Sequence, residues 1–209
     1  MLAVAGKFMT DKARIGVLAL QGGYSRHIAV LRSLGVDAFE LREPSDLEGI
    51  SGVVLPGGES TTIGMLMQRR GLDIALPKII SNGLPVFGTC AGAILLAKQI
   101  INSNQYRMSV LDIGVDRNAY GSQVDSFECH LEISDTALDF KTEIEAVFIR
   151  APKFVSIGPK VRVLATFGDA PVMVRQDNIL AAAFHPELTQ DSTVHRYFLE
   201  KVAALTLSV

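Results

Sequence analysis

The sequence predicts an α/β fold of three layers, a mostly parallel sheet flanked by helices, with a strand-rich second half. Three observations carry that expectation. Strand-length apolar runs bounded by glycine alternate with helix-period segments over the first hundred residues, the signature of βαβ units. Beyond Asn102 the texture shortens into extended pieces. The chain has 209 residues, 48% hydrophobic and 20% charged, with no linker, repeat or low-complexity stretch, and a chain of that size buries roughly 70% of its unfolded surface. Residues 14–209 are therefore expected to form a single domain. Residues 1–13 read as a flexible N-terminal extension, with Met9 a possible alternative start.

Arg14 to Leu20 reads as a buried strand, and Ser25 to Leu34 as a helix with Ile28, Leu31 and Leu34 on one stripe and Gly35 as its stop. Val36 to Leu41 returns as a strand. Ser45 with Glu48 has the form of a capping box ahead of the strand Gly52 to Leu55. The loop Pro56-Gly57-Gly58-Glu59 follows, and Ser60 is expected to cap a helix running to Arg70. Leu72 to Ile80 continues helically despite Pro77, Asn82-Gly83 turns the chain, and Pro85 to Gly88 is the next buried strand. A helix is expected over Ala91 to Gln99. In the second half Gln123 to Ile133, Ala146 to Ile149, Val161 to Thr166 and Pro171 to Val174 read as extended. Asp177-Asn178 turns the chain into the apolar run Ile179 to Phe184. Ser192 to Leu205 closes as a helix, with Val194, Phe198 and Val202 on one face.

Twenty Lys and Arg against 22 Asp and Glu give a formal charge of −2, without the basic stripe of a nucleic-acid binder. The apolar runs are far short of the ~20 residues of a membrane helix, so the chain is expected to be soluble, with no nucleic-acid or membrane partner. Cys90 and Cys129 make no disulfide framework, which suits a reducing cytoplasm. Two cysteines 39 positions apart and scattered histidines match no structural zinc spacing, so no metal is expected.

Gly88-Thr89-Cys90-Ala91-Gly92 has the form G-x-C-x-G between a strand and a helix, a nucleophile elbow with cysteine in place of serine. Glycines at its two ends allow backbones to approach while the sulfur is lifted clear of the sheet. The start of the following helix favours thiolate, and the Ala91 N–H can donate to an oxyanion. The alternative for Cys90, less favoured by the motif, is a small buried hydrophobe. A thiolate needs a base and the base an orienting acceptor. In an extended segment, His185 and Glu187 leave on the same side, with Pro186 limiting their freedom; the bland alternative is a strand end with two solvated polar residues. His27, His130 and His195 read as surface or internally satisfied residues, and Cys129 as a packed structural thiol. The Gly57-Gly58-Glu59-Ser60 turn places free N–H groups at a carboxyl end of the sheet, which fits either a second oxyanion donor or a plain capped turn.

Together the elbow, the His185-Pro186-Glu187 run and the Pro-Gly-Gly-Glu-Ser loop resemble the class I, triad-type glutamine amidotransferases. Five ordered blocks, LPGGESTT from Leu55, FGTCAG from Phe87, QVDSFE from Gln123, FIRAP from Phe148 and FHPELT from Phe184, resemble more narrowly the glutaminase subunits of pyridoxal 5'-phosphate synthase, over about Arg14 to Leu199. The resemblance implies a flavodoxin-like, class I amidotransferase-like domain without a cofactor. It implies hydrolysis of L-glutamine to glutamate and ammonia through a thioester. Cys90 would be the nucleophile, His185 the base and acid, and Glu187 its orienter, with an oxyanion hole from Gly58 and Ala91. Gly58, Glu59, Ser60, Arg117, Ile149 and Arg150 would contact glutamine. Ammonia would pass to a separate synthase subunit that builds pyridoxal phosphate from a pentose phosphate and a triose phosphate, and activity would depend on that partner. The chain departs from the family pattern at Arg26, where a glutamate is usual, and at Ser122, where an arginine is usual. The rival readings are the glutaminase subunit of another pathway, such as imidazole glycerol phosphate synthase, a related cysteine hydrolase or peptidase, and a non-catalytic binding subunit. The QVDSFE and FIRAP blocks argue against the first.

Overall fold

The structure, a computed structural model, describes residues 12–117 and 126–207. Most of the N-terminal extension, the start of the strand expected from Gln123, and Ser122 lie outside the described residues.

The first half alternates as the periodicity predicts. β1 (Arg14–Leu18) leads to α1 (Tyr24–Ser33), β2 (Asp37–Leu41) and β3 (Gly52–Leu55); α2 (Ser60–Arg70) and α3 (Leu72–Ser81) precede β4 (Val86–Thr89) and α4 (Ala91–Leu96). The second half supplies β5 (Ala97–Ile100), β6 (Leu111–Asp116), β7 (Phe127–Asp135), β8 (Phe140–Phe148), β9 (Lys153–Ile157), β10 (Arg162–Phe167), β11 (Ala170–Gln176), β12 (Ile179–Ala182) and α5 (Thr193–Tyr197). Seven strands form the main sheet in the order β10-β11-β12-β4-β3-β1-β2. The five from β12 to β2 are parallel, and β11 and β10 extend the sheet antiparallel. β3, β4 and β12 are buried at every residue, as strands covered on both faces must be.

The alternation of β4 shows the three layers. Phe87 faces α1 and α5, meeting His27 and His195 edge-on and Phe198 at 5.7 Å. Its neighbour Gly88 faces the other way, against Leu96 and Gly92 of α4. The remaining strands form a three-stranded sheet, β5-β6-β9, and the hairpin β7-β8. Phe148 of the hairpin stacks on Phe127 at 4.7 Å and meets Phe184, just past β12, at 5.6 Å. That aromatic cluster ties the hairpin to the carboxyl end of the main sheet.

Several boundaries differ from the sequence expectation for identifiable reasons. The first strand ends at Leu18 rather than Leu20, because the chain turns there toward the Gly22-Gly23 loop. Near residue 45 the capping box is formed by Glu43 and Asp46, with Asp46 accepting from the N–H groups of Arg42 and Glu43 at 2.8 and 2.9 Å, and not by the Ser45/Glu48 pair. Ser60 is the first helical residue of α2; Glu59 is its cap, accepting from Thr61 N–H and Thr62 N–H at 3.2 and 2.7 Å. α4 stops at Leu96, three residues short of Gln99, because the carbonyls of Leu95 and Leu96 are taken by the N–H groups of Met108 and Val110. The chain then joins β6 as a strand. The last helix keeps its buried stripe of Val194, Phe198 and Val202 but runs as a π-turn over Phe198–Val202 and ends there. Pro77 sits inside α3, and the Asp73 carbonyl it leaves without a helical donor accepts instead from the Tyr106 hydroxyl at 2.8 Å.

A Cβ at Gly92 would lie 2.0 Å from the Leu55 carbonyl oxygen, so α4 rests directly on β3. Gly92→Ala must force the two apart and is expected to lower stability by about 1–3 kcal/mol or more in urea unfolding; a wild-type midpoint would contradict this packing.

Candidate active site

The carboxyl ends of β1, β3, β4 and β12 converge on one cleft, the place where parallel α/β sheets bind ligands. Cys90 follows β4 with φ 46° and ψ −103°, a left-handed backbone rare for a residue with a side chain. Two hydrogen bonds hold it: its N–H donates to Ala182 of β12 at 2.8 Å, and its carbonyl accepts from Ile94 at 3.1 Å. Ala91 is the first residue of α4, where a backbone N–H has no helical partner.

His185 lies just past β12, its N–H donating to Val147 of β8 at 2.8 Å. Its Nδ1 is 2.8 Å from Glu187 Oε1, and its ring lies beside Cys90 across Gly57, on the wall of the same cavity. The pair meets through a 3-10 turn over Pro186–Leu188 rather than through the strand alternation expected from the sequence. Glu187 is buried and packs against Gly23. Burial disfavours the His185 cation, but the Cys90 sulfur and Glu187 outweigh it and lift the imidazole to about 10. Burial raises Glu187, and His27 and His185 more than offset it, so its net displacement is downward. A histidine oriented by a carboxylate and standing beside a cysteine is the partner a thiol nucleophile requires.

Gly57 has no room for a side chain, since a Cβ there would lie 2.3 Å from His185 Cε1 and 3.4 Å from Cys90 Cβ. Its carbonyl accepts from Gly23 N–H at 3.0 Å. The N–H of Gly58, on the opposite edge of the same trans peptide, therefore points away from that loop.

A cavity of about 350 Å³ opens in front of the sulfur. Gly58, Glu59, Ser60, Cys90, Arg117, Ile149, Arg150 and His185 all line it. Of the residues singled out in the sequence, Glu187 stands behind His185, and Ala91 is buried at the elbow rather than lining the cavity wall. Arg117, after β6, donates to Glu59 Oε1 at 3.0 Å and to Thr61 Oγ1 at 2.9 Å, and also to Gln105 Oε1. Ile149 and Arg150 follow β8 on the opposite rim, Arg150 exposed and at φ 44°. Sequence reasoning missed Gln21 and Ile94 in the wall. Gln21 accepts from Glu59 N–H at 2.8 Å, a contact with no local signature. It also missed Gln105, which bridges Arg117 and Ser60. His27 and His195 are fully buried behind Glu187 and hydrogen-bond each other at 2.9 Å, with His195 Nδ1 left without a hydrogen-bond partner among the described residues. His130 is exposed on the hairpin, and Cys129 is half-buried against the core.

Three comparisons bear on this site. The model of the SNO glutamine amidotransferase family matches residues 17–204. A protein of Carboxydothermus hydrogenoformans described as pyridoxal 5'-phosphate synthase subunit PdxT is 53% identical over 189 residues, covering 90% of this chain and 97% of its own. A Thermotoga maritima protein of the same description is 50% identical, covering 90% of this chain and 99% of its own. A crystal structure described as a glutamine amidotransferase superposes with TM-score 0.85 at 47% identity, over 91% of this chain and 99% of that one. The PurLQS structure from Thermotoga maritima, at 17% identity and TM-score 0.70, covers 91% of this chain and shares the fold.

Glu59 offers a test of the wall. Burial raises its carboxyl, but the hydrogen bonds from Thr62 and Thr61 dominate and hold it at about 2. A depressed folded-state carboxylate contributes stability above the ordinary value near 4.5, lost as pH falls through about 2. Glu59→Gln is thus expected to be less stable than wild type by about 0.5–2 kcal/mol at pH 7, with the gap narrowing as pH falls below 4.5; urea unfolding across that range checks it, and a pH-independent gap would contradict it.

Proposed function

The chain belongs to the SNO glutamine amidotransferase family, and we propose that it works as the glutaminase subunit of a pyridoxal 5'-phosphate synthase. The relatives at about half identity carry that name across nearly their whole lengths. The observation that best supports the chemistry is His185, hydrogen-bonded on one side to buried Glu187 and standing beside Cys90 at the wall of the cavity.

In this reading the Cys90 thiolate attacks the side-chain amide carbon of glutamine. The carbonyl π electrons move to oxygen, where the N–H groups of Ala91 and Gly58 receive the negative charge. As the carbonyl reforms, the carbon–nitrogen bond breaks, His185 gives its proton to the departing nitrogen, and ammonia leaves a glutamyl thioester. Water then yields a proton to His185 and its oxygen to the acyl carbon, the carbon–sulfur bond breaks, and glutamate departs. Glu187 accepts from the His185 Nδ1–H through both halves, fixing the ring so that its other nitrogen faces sulfur. Arg150 is assigned to the glutamine α-carboxylate. Arg117, already shared with Glu59, is assigned to the same end of the substrate, beside Ser60 and Ile149.

Nothing in this reading consumes ammonia within the chain, so a separate synthase subunit is proposed to receive it. The oxyanion donor at Gly58 depends on a glycine peptide anchored, among the described residues, by a backbone bond from Gly23. Losing one such donor costs roughly 3–4 kcal/mol, so docking of the synthase is proposed to raise activity by fixing this peptide. The two unpaired thiols suit a cytoplasmic setting, and among the described residues no helix is long and apolar enough to cross a membrane.

With the synthase subunit present, the wild-type chain is expected to release ammonia from glutamine and Cys90→Ala to release none above background. An inactive wild type, or an active Cys90→Ala, would contradict the assignment. Glu187→Gln is expected to keep the fold by circular dichroism while kcat falls roughly 10²–10⁴-fold; full turnover would remove Glu187 from the site.

A further inference from the structure

Behind Glu187 lies a polar chain that the mechanism above does not use. His27 of α1 and His195 of α5 are 168 positions apart, wholly buried, and joined by 2.9 Å between His27 Nδ1 and His195 Nε2. The other ring nitrogen of His27 hydrogen-bonds Thr89 Oγ1 at 3.2 Å and lies 3.3 Å from Glu187 Oε2, the carboxylate oxygen that His185 does not take and that has no hydrogen-bond partner among the described residues. Phe87 closes the pair edge-on.

The proton positions follow from what each atom can do. A carboxylate only accepts, so a lone pair of His27 Nε2 facing it at 3.3 Å would be repelled, whereas an Nε2–H is attracted and can also donate to Thr89. With its proton on Nε2, neutral His27 presents a lone pair at Nδ1, and His195 must donate from its own Nε2. His195 Nδ1 is then a bare acceptor, and it is buried without a hydrogen-bond partner among the described residues. The opposite polarity would bury an unpaired N–H there instead, the costlier orphan. Burial lowers both imidazoles, His195 to about 3, so neither gains a second proton at neutral pH.

We propose that His27 and His195 form an uncharged hydrogen-bonded pair of fixed polarity that holds the Glu187 carboxylate turned toward His185, which makes His27 a positioning residue for glutamine hydrolysis. The N–H dipole of His27 favours the anion at Oε2, leaving Oε1 as the acceptor for His185. His195 supports the tautomer that does this.

The proposal rests on the glutaminase reading, and the test separates the two. In the chain assayed with its synthase subunit, His27→Leu is expected to lower kcat about ten- to a hundredfold, the scale of one polar contact to a buried charge, with KM changed less than about threefold. His27→Gln, whose amide can donate from nearly the same point, is expected to restore most of kcat. A folded His27→Leu with wild-type kcat, or a His27→Gln as slow as the leucine variant, overturns the proposal. If the leucine variant does not fold, nitrogen NMR of the histidine-labelled wild-type chain decides: His27 protonated at Nε2 alone supports it, and protonation at Nδ1 overturns it. A wild-type complex that releases no ammonia would overturn the glutaminase reading, and the NMR result would still decide the pair.

Discussion

Cys90 is held in a backbone conformation that an L-residue avoids, and the surrounding structure is arranged so that it has no other choice. A positive φ of 46° costs of order 1–3 kcal/mol and persists only where neighbours over-determine it. Gly88 and Gly92 let α4 lie directly on β4 and β3, and the Ala182 carbonyl fixes the Cys90 N–H. Because the sulfur is set by three parallel strands and a short helix, its position does not depend on its own rotamer alone. Everything else in the cleft is placed relative to it.

The electrostatics follow from that fixed point. His185 is pinned by its backbone bond to β8 and by Glu187, so its ring stands beside Cys90 with little side-chain freedom to lose. Glu187 is buried yet ionic because histidines flank it on both sides. At the mouth the arrangement is reversed. Glu59 spends its charge capping α2 and holding Arg117, while Arg150 stands exposed at the rim. The second half of the chain is thus more than an appendage: the hairpin carries Ile149 and Arg150, and its Val147 carbonyl anchors the proposed base.

The parts of the site that could be read from the sequence are those whose constraint is local. An elbow needs glycines two residues either side of its nucleophile, and a histidine two positions from a carboxylate can meet it locally, so Cys90, His185 and Glu187 could be singled out by spacing, although the last two meet through a 3-10 turn and not through strand alternation. The family resemblance added Arg150, within the FIRAP block, and Arg117, which spacing alone left as surface charges. What was not legible depends on contacts between distant elements. His27 and His195 meet only because α1 and α5 pack side by side over Phe87, and Gln21 and Gln105 carry no pattern that marks them. The helix boundary at Leu96 was misplaced because Met108 and Val110 compete for its last carbonyls, and Ser60 yielded the cap to Glu59 because a carboxylate there serves two N–H groups at once.

The account stands or falls on a covalent intermediate at one sulfur. Acid-quenching the chain and its synthase subunit during turnover of glutamine, followed by peptide mass mapping, reads that directly. A glutamyl adduct on the peptide containing Cys90, absent when glutamine is withheld, is the predicted result. Steady ammonia release with no adduct, or an adduct on the Cys129 peptide instead, would contradict it.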